Sequence, residues 1–168
     1  DMRLDRLTNK TREALQEAQN LATERGNPEL SPEHFLVALL KQDGGVARAI
    51  AQKAGADPSA IESDLVARLD NLPKVSGGAE PALSRRLREV LTRTWKETEQ
   101  LKDEYSSAEH VLLAILETDE LKKLLAKHGL DKNGLAAALA QVRGAQRVTD
   151  ADPEGKYEAL EKYTRDIT

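Results

Sequence analysis

The stretches SPEHFLVALL, Ser31–Leu40, and SSAEHVLLAIL, Ser106–Leu116, open two helices in the same way. A serine stands at each N-cap, Ser31 and Ser107, where its hydroxyl can accept a hydrogen bond from a free first-turn amide. Pro32 falls at the first helical position, where a missing N–H costs nothing, and a glutamate, Glu33 or Glu109, meets the positive end of the helix dipole. A histidine follows in both, His34 and His110. Sliding the chain over itself explains the repetition. At an offset of 76, Leu7 falls on Leu83, Arg12 on Arg88, Leu15 on Leu91, Ser31 on Ser107, Glu33 on Glu109 and Leu40 on Leu116. After two residues are dropped from the second copy, Gly55 falls on Gly129, Asp57 on Asp131 and Leu65 on Leu139. The chain is an internal duplication. Each copy is about one supersecondary unit, too small to hide its apolar faces alone, so the two are expected to pack together.

Outward from these starts, the punctuation is helical throughout. Thr8 caps a helix running to about Arg25, with Ala14, Ala18, Leu21 and Ala22 facing inward at spacings of three and four. The Ser31 helix ends near Lys41, a third runs from about Val46 to Ala54 and stops at Gly55, and Asp57–Pro58 open a fourth carrying Ile61, Leu65, Val66 and Leu69. NLPKVSGGAEP, Asn71–Pro81, is a joint that neither a helix nor a central strand would tolerate. The second copy predicts helices near Ala82–Lys102, Ser107–Thr118, Glu120–Lys127 and Asp131–Arg143. No alternating strand pattern competes. The expected fold is all-α: two pseudo-symmetric four-helix repeats, 3–70 and 82–143, packed as one eight-helix domain over 1–143. From Gly144 the chain turns polar and aperiodic and reads as a linker. The tail of 144–168 places Tyr157, Leu160 and Tyr163 on one helical face, which suits either the start of a further domain or an amphipathic tail docking back.

Composition narrows function. Acidic residues outnumber basic ones 29 to 25, a formal charge of −4, so the bulk field favours neither nucleic acid nor an anionic membrane. The turns KAGADPSA and KHGLDKNG join helices as a helix-turn-helix would. The helices after them are acidic or apolar where a recognition helix presents Arg, Lys, Asn or Gln. No apolar run approaches the roughly 20 residues a bilayer requires. The absence of cysteine removes disulfides, thiolate metal sites and cysteine nucleophiles, and makes the cytoplasm the expected compartment. No zinc spacing or phosphate-cradling loop is present. His34 and His110 recur at equivalent positions, which suits first-turn residues satisfied by local hydrogen bonds better than a catalytic group. Asp103 and Glu104 read as a solvated carboxylate pair. Neither catalysis, a metal nor a cofactor is expected.

The residues reached so far resemble the N-terminal domain of Clp-type AAA+ chaperones, and most nearly those of the bacterial disaggregases. MRLDRLTNKTREALQEAQNLA resembles that family's opening, SPEHFLVALL with SSAEHVLLAIL its two-copy hallmark, and KVSGGAEPALSRRLREVL its inter-repeat stretch. YEALEKYTRDIT resembles the lead into the first AAA+ ATPase domain. The resemblance implies a receptor domain for unfolded or aggregated polypeptides on a hexameric, ATP-driven unfoldase that works with the DnaK chaperone system through other domains. ATP and magnesium, and a coiled coil, would belong to those other domains. The isolated domain is expected to be a monomer without nucleic-acid or membrane partners. The alternative is adaptor docking or regulation of the ring.

Two pseudo-symmetric bundles side by side are expected to leave a shallow apolar groove where their first helices approach. Leu15 and Leu91, one step beyond the inward stripe, are its candidate lining, with core between the copies as the competing role. Thr8 and Thr11 lie upstream of Leu15, and Trp95 lies one turn after Leu91. The resemblance adds polar positions at one groove end, Thr8, Asp103 and Glu109. It also places His110 where relatives carry an apolar residue. Each has a structural alternative: Thr8 as helix cap, Asp103 as loop acid, Glu109 as dipole partner.

Overall fold

The computed structural model describes residues 1–144 and 147–153. A short 3-10 turn at Leu4–Arg6 leads into four helices of the first copy: α1 (Asn9–Glu24), α2 (Pro32–Lys41), α3 (Ala47–Lys53) and α4 (Pro58–Asp70). The second copy supplies α5 (Arg85–Gln100), α6 (Ala108–Thr118), α7 (Leu121–Lys127) and α8 (Lys132–Arg143). The caps behave as their chemistry requires. The Thr8 hydroxyl accepts from the Thr11 amide, Asp57 from the amides of Ser59 and Ala60, and Asp131 from the Gly134 amide. In each copy the first helix lies on the second, α1 on α2 and α5 on α6. Ala14, Ala18 and Ala22 give α1 a narrow buried face, and α2 and α6 are buried along most of their length at the centre of the core.

One boundary differs from expectation. The fifth helix begins at Arg85, capped by Ser84, because Ala82–Leu83 is drawn into a two-residue strand, β2, that pairs in parallel with β1, Glu29–Leu30. Leu7 makes the matching bridge to Ser106. Leu7 and Leu83 are equivalent, as are Leu30 and Ser106, so each copy's lead-in to its first helix is held by the other copy's lead-in to its second. The amides of Thr8 and Ser84 donate to the carbonyls of Ser106 and Leu30 at 2.9 and 3.0 Å. The exchange is reciprocal. Two residues per strand cannot show a period in the sequence, which is why no strand pattern was visible.

The copies meet through α3 on α6 and α8, α4 on α7, and α2 on α5. Their glycine turns also touch: a Cβ on Gly129 would stand 3.0 Å from the Gly55 carbonyl oxygen. A charged pin spans the same seam. Arg86 on α5 grips Asp119 with two bonds, at 3.0 and 2.7 Å, and reaches Glu33 on α2 at 3.2 Å, while Arg68 on α4 meets Glu33 at 3.1 Å. Burial works against the Arg86 charge, but Asp119 and Glu33 more than offset it, and its pKa is raised. The first helices, between which a groove was expected, each pack mainly within their own copy.

Candidate functional site

At the start of α2 the Nδ1 of His34 accepts from the Ser31 amide at 2.9 Å and contacts the Ser31 hydroxyl at 2.7 Å, so its other nitrogen carries the proton and donates to Asn27 Oδ1 at 2.8 Å. It is a capping box with histidine in the place of the usual glutamate or glutamine. Burial, with Arg25 nearby, outweighs the pull of Glu33 and pushes the His34 pKa down to about 4. The start of α6 repeats the device. His110 Nδ1 accepts from the Ser107 amide at 2.8 Å and its Nε2 meets Asp103 Oδ2 at 2.6 Å. Asp103 is the equivalent of Asn27, so one copy anchors its histidine on a neutral amide and the other on a carboxylate.

That single difference builds a polar hub. Asp103 is buried, yet its other oxygen takes the Arg143 guanidinium at 2.5 Å and the Val148 amide at 2.8 Å. Burial alone would raise its pKa, but the bonds from His110, Arg143 and Val148 hold it down at about 2. Arg143 also faces Glu109 at 3.3 Å, and Glu109 is bonded to the Ser107 hydroxyl. Next to the hub, the Val148 carbonyl accepts from the amides of Glu104 and Tyr105 at 2.7 and 3.3 Å, and the Ala151 carbonyl accepts from the Asn9 amide at 2.8 Å. The stretch read from sequence as polar linker therefore lies against the domain between Arg147 and Pro153, with Val148 fully buried.

The sequence model of the Clp repeat (R) N-terminal domain matches residues 6–128. The chain belongs to this family. It is 39% identical over 163 residues to the chaperone protein ClpB of Mycobacterium bovis, covering 96% of this chain and 19% of that one. It thus spans about a fifth of the curated relatives' length. Its fold is that of the Hsp104 N-terminal domain from Candida albicans, with a TM-score of 0.78 and 25% identity over 88% of this chain and 98% of that one. The ClpV N-domain solved in complex with a VipB peptide shares the fold, with a TM-score of 0.60 and 21% identity over 93% of this chain and 86% of that one.

In this Clp N-terminal domain the eight site residues expected from sequence fall into two groups. Thr8, Asp103, Glu109 and His110 come together at one end, because Thr8 is tied to Ser106 and the other three surround Ser107. Thr11 sits beside Thr8, their hydroxyls 2.8 Å apart. All five are buried, so the Asp103 carboxylate is no solvated loop acid. Glu104, its expected companion, is exposed.

The apolar three need a correction. Leu91 is 1% exposed and belongs to the core under α5, so it lines no open groove. Its equivalent Leu15 is half-buried at the core's edge, and Trp95 is half-buried under the Arg3 guanidinium, 5.1 Å from its ring centre. Sequence reasoning missed Asn27, Arg143 and Val148. The offset of 76 pairs Asn27 with Asp103 and could have found the first; no local pattern marks the others. The tail residues Tyr157, Leu160 and Tyr163 lie outside the described residues. Among the described residues no three His, Cys, Asp or Glu side chains are grouped to hold a metal, and no helix is long and apolar enough to cross a membrane.

Proposed function

We propose that this domain is the polypeptide-receiving N-terminal domain of an ATP-driven disaggregase of the ClpB kind. The observation that carries the reading is the identity to a ClpB chaperone along nearly the whole chain. The whole protein would be a hexamer working with the DnaK system, with ATP and magnesium confined to other domains and no cofactor in this one. Its proposed contact surface joins Leu15 and the open edge of Trp95 to the polar end that the buried Thr8, Thr11, Asp103, Glu109 and His110 hold in shape from beneath. Covering one such apolar side chain contributes about 1.5–3 kcal/mol, and ordering a disordered client offsets much of that. Weak, sequence-tolerant capture follows, which suits a receptor for many unfolded chains. An NMR titration with unfolded casein tests the placement: shifts should centre on Leu15, Trp95 and the Thr8–Ser106 junction. Shifts confined to α4 and α7 would remove it.

A second reading, docking of a folded adaptor, draws on a different feature. A cleft of about 400 Å³ on α5 is lined by Arg85, Arg88, Arg93 and Lys96 together with Glu89, a net positive patch on a chain of net charge −4, although Arg85 is paired with Glu89 and Arg93 with Glu97. An acidic adaptor held there would lose affinity as salt rises and would be indifferent to Leu15→Ser.

A further inference from the structure

Val148 is 0% exposed but lies outside the apolar core formed by the helices. Both of its backbone groups are taken by one turn of the second copy. Its amide donates to Asp103 Oδ1, and its carbonyl accepts from the amides of Glu104 and Tyr105. Three residues on, the Ala151 carbonyl takes the amide of Asn9, one of the free donors at the start of α1. Around these contacts the side chains of Arg147, Thr149 and Asp152 are exposed. The notch between the Asp103–Tyr105 turn and the start of α1 therefore grips main chain and one small branched apolar side chain, while Pro153 is buried beyond it and the Arg147 guanidinium reaches the Leu101 carbonyl at 3.3 Å. Main-chain bonds with a pocket for one side chain are how an extended polypeptide is held.

The first copy shows what a permanent version of this contact looks like. There the segment after α4 crosses the turn after α1, with the Val75 amide donating to the Gly26 carbonyl at 2.8 Å and the Asn27 side chain donating to the Pro73 carbonyl at 3.1 Å. Val75 itself is exposed, and its segment runs straight on into β2. The duplication thus leaves a crossing segment on both copies. In the second copy it is the one that buries its valine, and no later strand of the described residues pins it.

The geometry points to a binding site for extended polypeptide in this notch, occupied in cis by the segment Arg147–Pro153, which a client must displace. The assignment rests on the polypeptide-receiving reading and adds to it the site and its regulation. A client's apparent affinity is lowered by the fraction of time the segment stays seated. Seating also shields the Asp103–Arg143 pair from water. Displacement frees the segment and lengthens the tether to whatever follows it.

The test uses the whole 168-residue chain and two variants, Val148→Asp and Val148→Gly, the second removing the anchor without adding charge. Amide exchange at Asn9, Glu104 and Tyr105 should quicken about tenfold or more in both variants. It should be restored by adding the free heptapeptide RVTDADP, and unfolded casein should bind the variants about tenfold more tightly than the parent chain. The proposal is overturned if those amides stay protected in both variants, if the heptapeptide restores nothing, or if casein binds all three chains equally. Equal binding would leave polypeptide reception standing while removing the notch from it. Rescue by the heptapeptide with no casein binding to any chain would uphold the notch and remove the client reading.

Discussion

Acid should act on this domain through one buried imidazole first. His34 is fully buried, and its unprotonated Nδ1 faces two groups of Ser31, the amide at 2.9 Å and the hydroxyl at 2.7 Å. A proton on Nδ1 would turn the ring from acceptor to donor and leave the Ser31 amide opposed to a second N–H. The folded pKa of about 4 lies below the ordinary 6.5, so between those values the unfolded chain binds the proton that the fold refuses. The group's stabilisation is complete above pH 6.5 and is lost as pH falls towards 4. Linkage puts the loss at about 2 kcal/mol by pH 5 and about 3 kcal/mol by pH 4. The matched control is His34→Gln, which keeps a side-chain acceptor for the Ser31 amide in the ordinary capping-box manner but does not titrate. Urea unfolding of both proteins at pH 7.5, 6, 5 and 4.5 isolates the term as the difference between their pH slopes. A histidine Cε1 proton titrating near 4 by NMR should accompany it. If His34 titrates near 6.5, or if the two proteins lose stability in parallel on acidification, the hydrogen-bond account of the buried ring is wrong.

Two more comparisons use the duplication as its own control. Leu91→Ala should cost about 2–4 kcal/mol by urea unfolding, because Leu91 is core, and Leu15→Ala at the half-buried equivalent position about half as much; equal costs would mean that the copies are packed alike there. Gly55 and Gly129 both hold φ near +90°, but a Cβ on Gly55 meets nothing within 4 Å, whereas one on Gly129 meets the Gly55 carbonyl at 3.0 Å. Both changes to Ala carry backbone strain of about 1–2 kcal/mol. Gly129→Ala should add an inter-copy clash and lower the thermal midpoint further than Gly55→Ala, and matching midpoints would show that the seam gives way freely.

Most of the fold was legible because its signals are local. Thr8, Asp57 and Asp131 stop and start helices through bonds that span three residues, and Gly55 and Gly129 end them through their own φ. The site was half legible. Ser107, Glu109 and His110 follow from a first-turn pattern, and Thr8 from its cap. Their gathering with Asp103 under Arg143 and Val148 involves partners about 40 residues away along the chain, with no periodicity to announce them.

The sequence by itself determined that two copies of one four-helix unit exist, where their helices other than the fifth begin and end, and which family they join, since caps, glycine turns and the repeat act within a few residues or along a fixed offset. Only the tertiary structure decided what each copy does with equivalent residues. Leu15 stays at the edge while Leu91 is sealed in the core, and the place of Asn27 is taken in the second copy by a carboxylate that recruits an arginine and the crossing segment. The physical reason is that burial and charge pairing depend on what arrives from the other copy, and two identical side chains can receive different neighbours.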